Sequence, residues 1–131
     1  MSSTKADTRE AVAKDAMYLT VAYINKLMPA DREAEYLRRF REDAFFRREV
    51  VYNLATDHMS ARLDPEEAAR LTRREQRREE AAMENEQMRV MASFMKKRPK
   101  PEDIRLRQMT WTYLMKKYGY PAVDVVTWEL V

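Results

Sequence analysis

Residues 64–95 read DPEEAARLTRREQRREEAAMENEQMRVMASFM, and after Pro65 the run continues for 30 residues, Glu66 to Met95, without another proline or glycine. Its opening has the form of a helix start. The Asp64 carboxylate can accept from an unpaired N–H of the first turn. Pro65 suits the first helical position, where its missing N–H is not needed. Glu66 and Glu67 place negative charge at the positive end of the macrodipole. Read as one helix, the stretch is about 45 Å long at 1.5 Å per residue. That is more than a compact domain of this size needs, so the helix is expected to project.

The middle of the stretch sets its character. Thr72 to Glu80 is nine polar residues in succession. On a helical wheel, Arg70, Arg73, Arg74 and Arg77 share one face, and Glu75, Glu79 and Glu86 lie on another, in line with Ala68, Leu71 and Ala82. Like charges stacked at i,i+3 and i,i+4 repel mildly. A helix polar all round is either a solvated spacer or an element whose faces meet partners. A coiled coil along Ala68, Thr72, Glu75, Glu79, Ala82 and Glu86 is not expected, because glutamates stand where apolar knobs belong.

Upstream, the apolar spacing of Val12, Ala16, Leu19, Tyr23 and Leu27 marks a helix over 7–28. Met17, Tyr18, Val21 and Ile24 extend its apolar surface nearly all the way round, so it needs neighbours on most sides. Pro29 closes it. Asp31 is placed to cap a second helix over 31–62, with Leu37, Phe40, Ala44, Val51 and Leu54 along one face. The Arg38–Arg39 and Arg47–Arg48 pairs alternate with Glu42, Asp43 and Glu49, which reads as a solvated face with arginine stems lying over aromatic rings.

Downstream, residues 96–101 form a basic proline-containing linker, and a helix over 101–118 follows. Pro101, Glu102 and Asp103 favour its start, while Lys116, Lys117 and Gly119 favour its end. It is expected to cover the apolar patch from Met83 to Met95. Residues 119–131 are rich in β-branched and aromatic residues and read as an extended apolar arm that must pair or dock. The expected architecture is therefore all-α: one helical domain over 1–131, with about four helices, one of them long and charged, and an extended C-terminal arm.

A length of 131 residues fits one domain. Charged residues make up 36% and glycine occurs once, a balance that favours long helices with few tight turns. Cysteine is absent, which excludes disulfides and thiolate metal sites and agrees with an intracellular address. The ten methionines suit either core gap-filling or an adaptable partner surface. Net charge is +3, and the basic excess sits in Lys96, Lys97, Arg98 and Lys100. Elsewhere positive charge is answered locally, which argues against a dedicated nucleic-acid domain. No secretory signal is expected, and Asp7, Glu10 and Asp15 argue against a cleavable mitochondrial presequence. The most apolar run, Ala16 to Ile24, is too short to span a bilayer, so no transmembrane segment is expected.

Catalytic chemistry finds little to work with. His58 is the only histidine, and a single glycine rules out a Gly-rich phosphate loop. No catalytic residue, cofactor or metal site is expected. The leading expectation is a non-catalytic structural or accessory subunit of a large intracellular multiprotein assembly. A mitochondrial or other organellar, respiratory-type complex is one setting that fits. Its partner contacts are expected at Tyr18, at Arg73, Arg74 and Arg77, and at Tyr120, Val125 and Trp128 in the arm. A second reading is an RNA- or DNA-associated, ribosome-type protein contacting phosphates through Lys96, Lys97, Arg98 and Lys100. A third is a small helical regulator or inhibitor that binds one protein.

Overall fold

The first helix, α1 (Lys5–Ile24), stops four residues short of the Met28 end expected from Pro29. A local device ends it. Lys26 adopts a left-handed φ of 55°, its N–H donates to Tyr23 O at 3.1 Å, and Leu27 N–H donates to Ala22 O at 2.9 Å. This is a Schellman motif, with lysine where glycine is usual. The Asn25 side chain donates to Val21 O at 2.8 Å and occupies another terminal carbonyl. This computed structural model describes residues 5–58 and 65–131.

The helix expected over 31–62 is interrupted. The second helix, α2 (Ala30–Glu42), starts with Pro29 in the cap position, so Asp31 lies inside the first turn. The third, α3 (Ala44–Asn53), follows directly, separated from α2 by Asp43 alone. Asp43 is extended (φ −110°, ψ 103°), and its Oδ1 accepts from the N–H groups of Phe45 and Phe46, each at 3.1 Å. A short carboxylate that can satisfy two orphan donors competes with helix continuation and wins here. One π-helical turn, Leu54–His58, ends this stretch. The remainder of the expected helix, to 62, and the Asp64 cap lie outside the described residues.

The long charged helix is also broken. A short helix, α4 (Pro65–Ala69), precedes α5 (Arg73–Met95). Between them the chain turns at Arg70–Thr72. There Thr72 and Glu75 form a capping box: Thr72 Oγ1 accepts from Glu75 N–H at 3.2 Å, and Glu75 Oε2 accepts from Thr72 N–H at 3.4 Å. Gln76 reaches back across the break and donates to the carbonyls of Ala68 and Leu71. Two helices replace the single 45 Å rod, and α5 alone is about 34 Å long.

The last helix, α6 (Pro101–Tyr118), has the expected limits. Gly119 takes φ 77°, a left-handed value that favours glycine, and closes α6 with its N–H on Met115 O at 2.9 Å.

Residues 119–131 form no strand. Within them Val123 and Leu130 meet in a single antiparallel bridge. The turn between them is organised by Asp124, whose Oδ1 accepts from Val126 N–H at 2.8 Å and Thr127 N–H at 3.2 Å. The same two bonds hold the Asp124 carboxyl below the usual carboxylate range. The segment folds onto the chain's own helices. Tyr120, Val123 and Val125 join a core with Tyr23 of α1, Tyr36 and Phe40 of α2, Phe46 and Val50 of α3, Phe94 of α5, and Trp111 and Leu114 of α6. Trp111 is fully buried, stacks on Phe40 at 6.0 Å, and donates from Nε1 to Pro121 O at 3.0 Å. The architecture is mostly helical, and among the described residues no helix is long and apolar enough to cross a membrane.

Candidate interaction surfaces

Two buried arginines fasten the C-terminal segment. Arg107 on α6 is 1% exposed. Its Nε donates to Ser93 O at 2.8 Å, and its Nη2 donates to Lys96 O at 2.7 Å and Phe94 O at 3.4 Å. These carbonyls lie at the C-terminal end of α5, where helix geometry leaves them without partners and the macrodipole is negative. The remaining Nη1 donates to Val125 O at 2.7 Å. The guanidinium also faces the Trp128 ring at 5.2 Å. Burial pulls its pKa below the ordinary arginine value, and the nearby Asp103 charge opposes that shift.

Arg47 on α3 repeats the arrangement at the end of α2. Its Nη1 donates to Phe40 O at 2.9 Å and Arg41 O at 3.1 Å, and its Nε donates to Trp128 O at 2.6 Å. The bend at Asp43 makes this possible, because it turns the start of α3 back toward the last carbonyls of α2. Each arginine therefore joins one helix end to one point of the C-terminal segment.

A chain of hydroxyls lies beneath that segment. Thr20 Oγ1 and Tyr36 OH are 2.9 Å apart, and Tyr36 OH and Tyr120 OH are 3.0 Å apart. Burial raises the pKa of both phenols far above the ordinary tyrosine value. Tyr23 donates to the carbonyl of Tyr118 at the end of α6, and burial raises its pKa as well. Among the described residues no buried side-chain nitrogen or oxygen lacks a hydrogen-bond partner. No group of three or more His, Asp or Glu residues among them could hold a metal ion. The side chain of His58 lies outside the described residues.

The expected contact residues fall into two sets. Tyr120 is 3% exposed and Val125 is 5% exposed, so both are spent on the chain's own core. Trp128 is half-buried, stacked on Phe94 at 5.2 Å. Tyr18 is 70% exposed, beside the exposed Met17 and Val21 on α1. Arg73, Arg74 and Arg77 are exposed on α5. Among the described residues, no hydrogen bond, ion pair or ring contact joins Met17, Tyr18 or Val21 on α1 to these arginines.

In the linker, Lys97, Arg98 and Lys100 are exposed, whereas Lys96 is paired with Asp103 at 3.1 Å. Asp103 also accepts from Lys100 N–H at 2.9 Å, and that bond, followed by Lys96, holds its carboxyl below the usual range. A cleft of about 500 Å³ opens between α1 and α2, lined by Leu19, Ala22, Met28, Arg32 and Tyr36 among others.

The sequence places Arg47 on a solvated face, but it is 6% exposed because the bend at Asp43 turns its guanidinium onto the last carbonyls of α2; Arg107 carries no mark in the sequence. Asp103, Arg107, Trp111 and Leu114 are the buried residues of α6, whereas the apolar spacing of Ile104, Trp111, Met115 and Tyr118 marks a face centred about 55° away. The available signal was an Asp–Arg pair at i,i+4 in line with a tryptophan. The chain matches no family model, no curated protein and no solved structure.

Proposed function

We propose that this protein is a non-catalytic accessory subunit of a larger intracellular protein assembly. The supporting observation is the run from Pro65 to Arg89, in which no side chain is buried. Six arginines and seven glutamates occupy that run. Core packing begins only at Val90, Ser93 and Phe94. A helix gains most of its stability from packing one face, and this part of α5 has little packing from the described chain. A partner supplies it. The contacts assigned to that partner are Arg73, Arg74 and Arg77 on α5, with Tyr18, Met17 and Val21 on α1 as an apolar anchor.

The test is purification of the tagged chain from its native cells, with and without nuclease, beside the R73E/R74E/R77E variant. The expected result is a fixed set of proteins that survives nuclease and is lost from the variant. Partners that disappear with nuclease, and depend on Lys97, Arg98 and Lys100 instead, would replace this reading with a nucleic-acid one, whose binding falls steeply with salt.

A further inference from the structure

At i,i+4 spacing the charges of α5 repel within one helix, and along one flank they are self-complementary between two. After the capping box restarts the helix, four i,i+4 pairs carry like charges: Arg73 with Arg77, Arg74 with Arg78, Glu75 with Glu79, and Glu80 with Glu84. Such pairs repel on a helix surface. None of these residues makes an ion pair with a described residue. At 3.6 residues per turn, Arg73, Arg77, Glu80 and Glu84 fall within an arc of about 60°. All four are exposed. Their arc lies roughly a quarter turn from the side carrying Met83, Val90 and Phe94. One flank of α5 is therefore basic in its first half and acidic in its second.

We propose that this flank pairs antiparallel with the same flank of a second copy of the chain, about a two-fold axis between Arg78 and Glu79. This rests on the reading of α5 as an interaction element and names its occupant. In that register Arg73 faces Glu84 of the second copy and Arg77 faces Glu80, and the symmetry doubles each pair. The register is selected by charge. Sliding one copy by seven residues in one direction sets Arg73 against Arg77, and in the other direction sets Glu80 against Glu84. A parallel pairing sets arginine against arginine. The two bodies do not compete for space along the axis. Val90 of one copy falls about 9 Å beyond the Arg73 start of the other copy's α5, and the two packed ends lie about 34 Å apart along the axis. The pairing is an ion-paired surface and not an apolar coiled-coil seam, so it is sensitive to salt.

The experiment measures the mass of the full chain by sedimentation velocity. The comparison is between about 20 mM and about 500 mM salt, where screening lengths differ severalfold. The wild type is expected to dimerise at low salt and to be monomeric at high salt. R73E/R77E makes the flank all acidic, and E80R/E84R makes it all basic. Each variant alone is expected to lose self-association by about tenfold or more, from the loss of four exposed pairs. An equimolar mixture of the two is expected to restore it. A wild type that stays monomeric at low salt overturns the proposal. So does a dimer that persists in either variant alone, or a mixture that stays monomeric. If the wild type is monomeric while R73E/R74E/R77E still loses its cellular partners, the second copy is wrong and the accessory-subunit reading stands.

Discussion

Arg107 Nη1 and the carbonyl oxygen of Val125 meet at 2.7 Å. Through that bond a side chain of α6 that already caps α5 also holds the turn of the C-terminal segment. Arg47 does the same between α2 and Trp128 O. The apolar residues of the segment supply adhesion, and the two guanidinium groups set its position.

Replacing Arg107 tests this directly. Arg107→Met keeps much of the volume but leaves the carbonyls of Ser93, Lys96 and Val125 without their donor. Unsatisfied buried polar groups and lost charge-assisted bonds are expected to cost about 3–5 kcal/mol. For a chain of this size the melting temperature should fall by roughly 10–20 °C. Arg107→Lys recovers little, because one ammonium cannot reproduce the planar fork. Thermal denaturation of both variants, followed by circular dichroism, reads the difference.

The Tyr36–Tyr120 pair makes stability fall at high pH. Burial raises both folded-state phenol pKa values above the unfolded value. Their contribution is therefore fully present below the unfolded value of about 10 and is lost as pH rises toward the folded values. The slope above pH 10 is about 1.4 kcal/mol per pH unit for each phenol. Urea unfolding at a series of pH values should show this decline in the wild type. The Y36F/Y120F double variant should show a shallower one.

Asp43 is expected to be one of the most sensitive acidic positions. Asp43→Ala removes the acceptor for Phe45 and Phe46 N–H and should cost about 1–2 kcal/mol. Asp43→Asn keeps an acceptor and should cost much less. Equilibrium urea unfolding of the two variants distinguishes a capping role from a charge role.

Lys26 offers a gain. Its φ of 55° strains a residue that has a Cβ. Lys26→Gly relieves that strain at an exposed site and should stabilise the fold by about 0.5–1 kcal/mol. A rise in melting temperature, with the circular dichroism spectrum unchanged, is the expected observation.

Parts of this fold were legible in the sequence because punctuation residues marked them. Pro101 and Gly119 bound α6 at its observed limits. The capping box at Thr72 and Glu75 was equally present in the sequence, but the strong Asp64-Pro65 start upstream hid it inside a longer helix. Asp43 is neither proline nor glycine and has Phe46, not glutamate, three residues on, so nothing local marked the break. Arg47 and Arg107 were harder still. Their partners are carbonyls that become available only where helices end, and those ends must first be brought together by packing. Tyr120 and Val125 were recognisable as adhesive residues, but local pattern does not say which surface they adhere to.

The central claim is a division of labour. The C-terminal segment is secured inside the chain, and the charged half of α5, unburied by the described chain, is the surface proposed to meet another protein. Hydrogen–deuterium exchange of the full chain in about 0.5 M salt, where exposed ion pairs are screened, tests both halves together. Amides of residues 73–89 should exchange early, as expected of a helix with little packing. Those of 101–118 and the bonded amides of Asp124 and Trp128 should exchange late. Equal protection of 73–89 and α6, or early exchange at Asp124 and Trp128, would contradict the account.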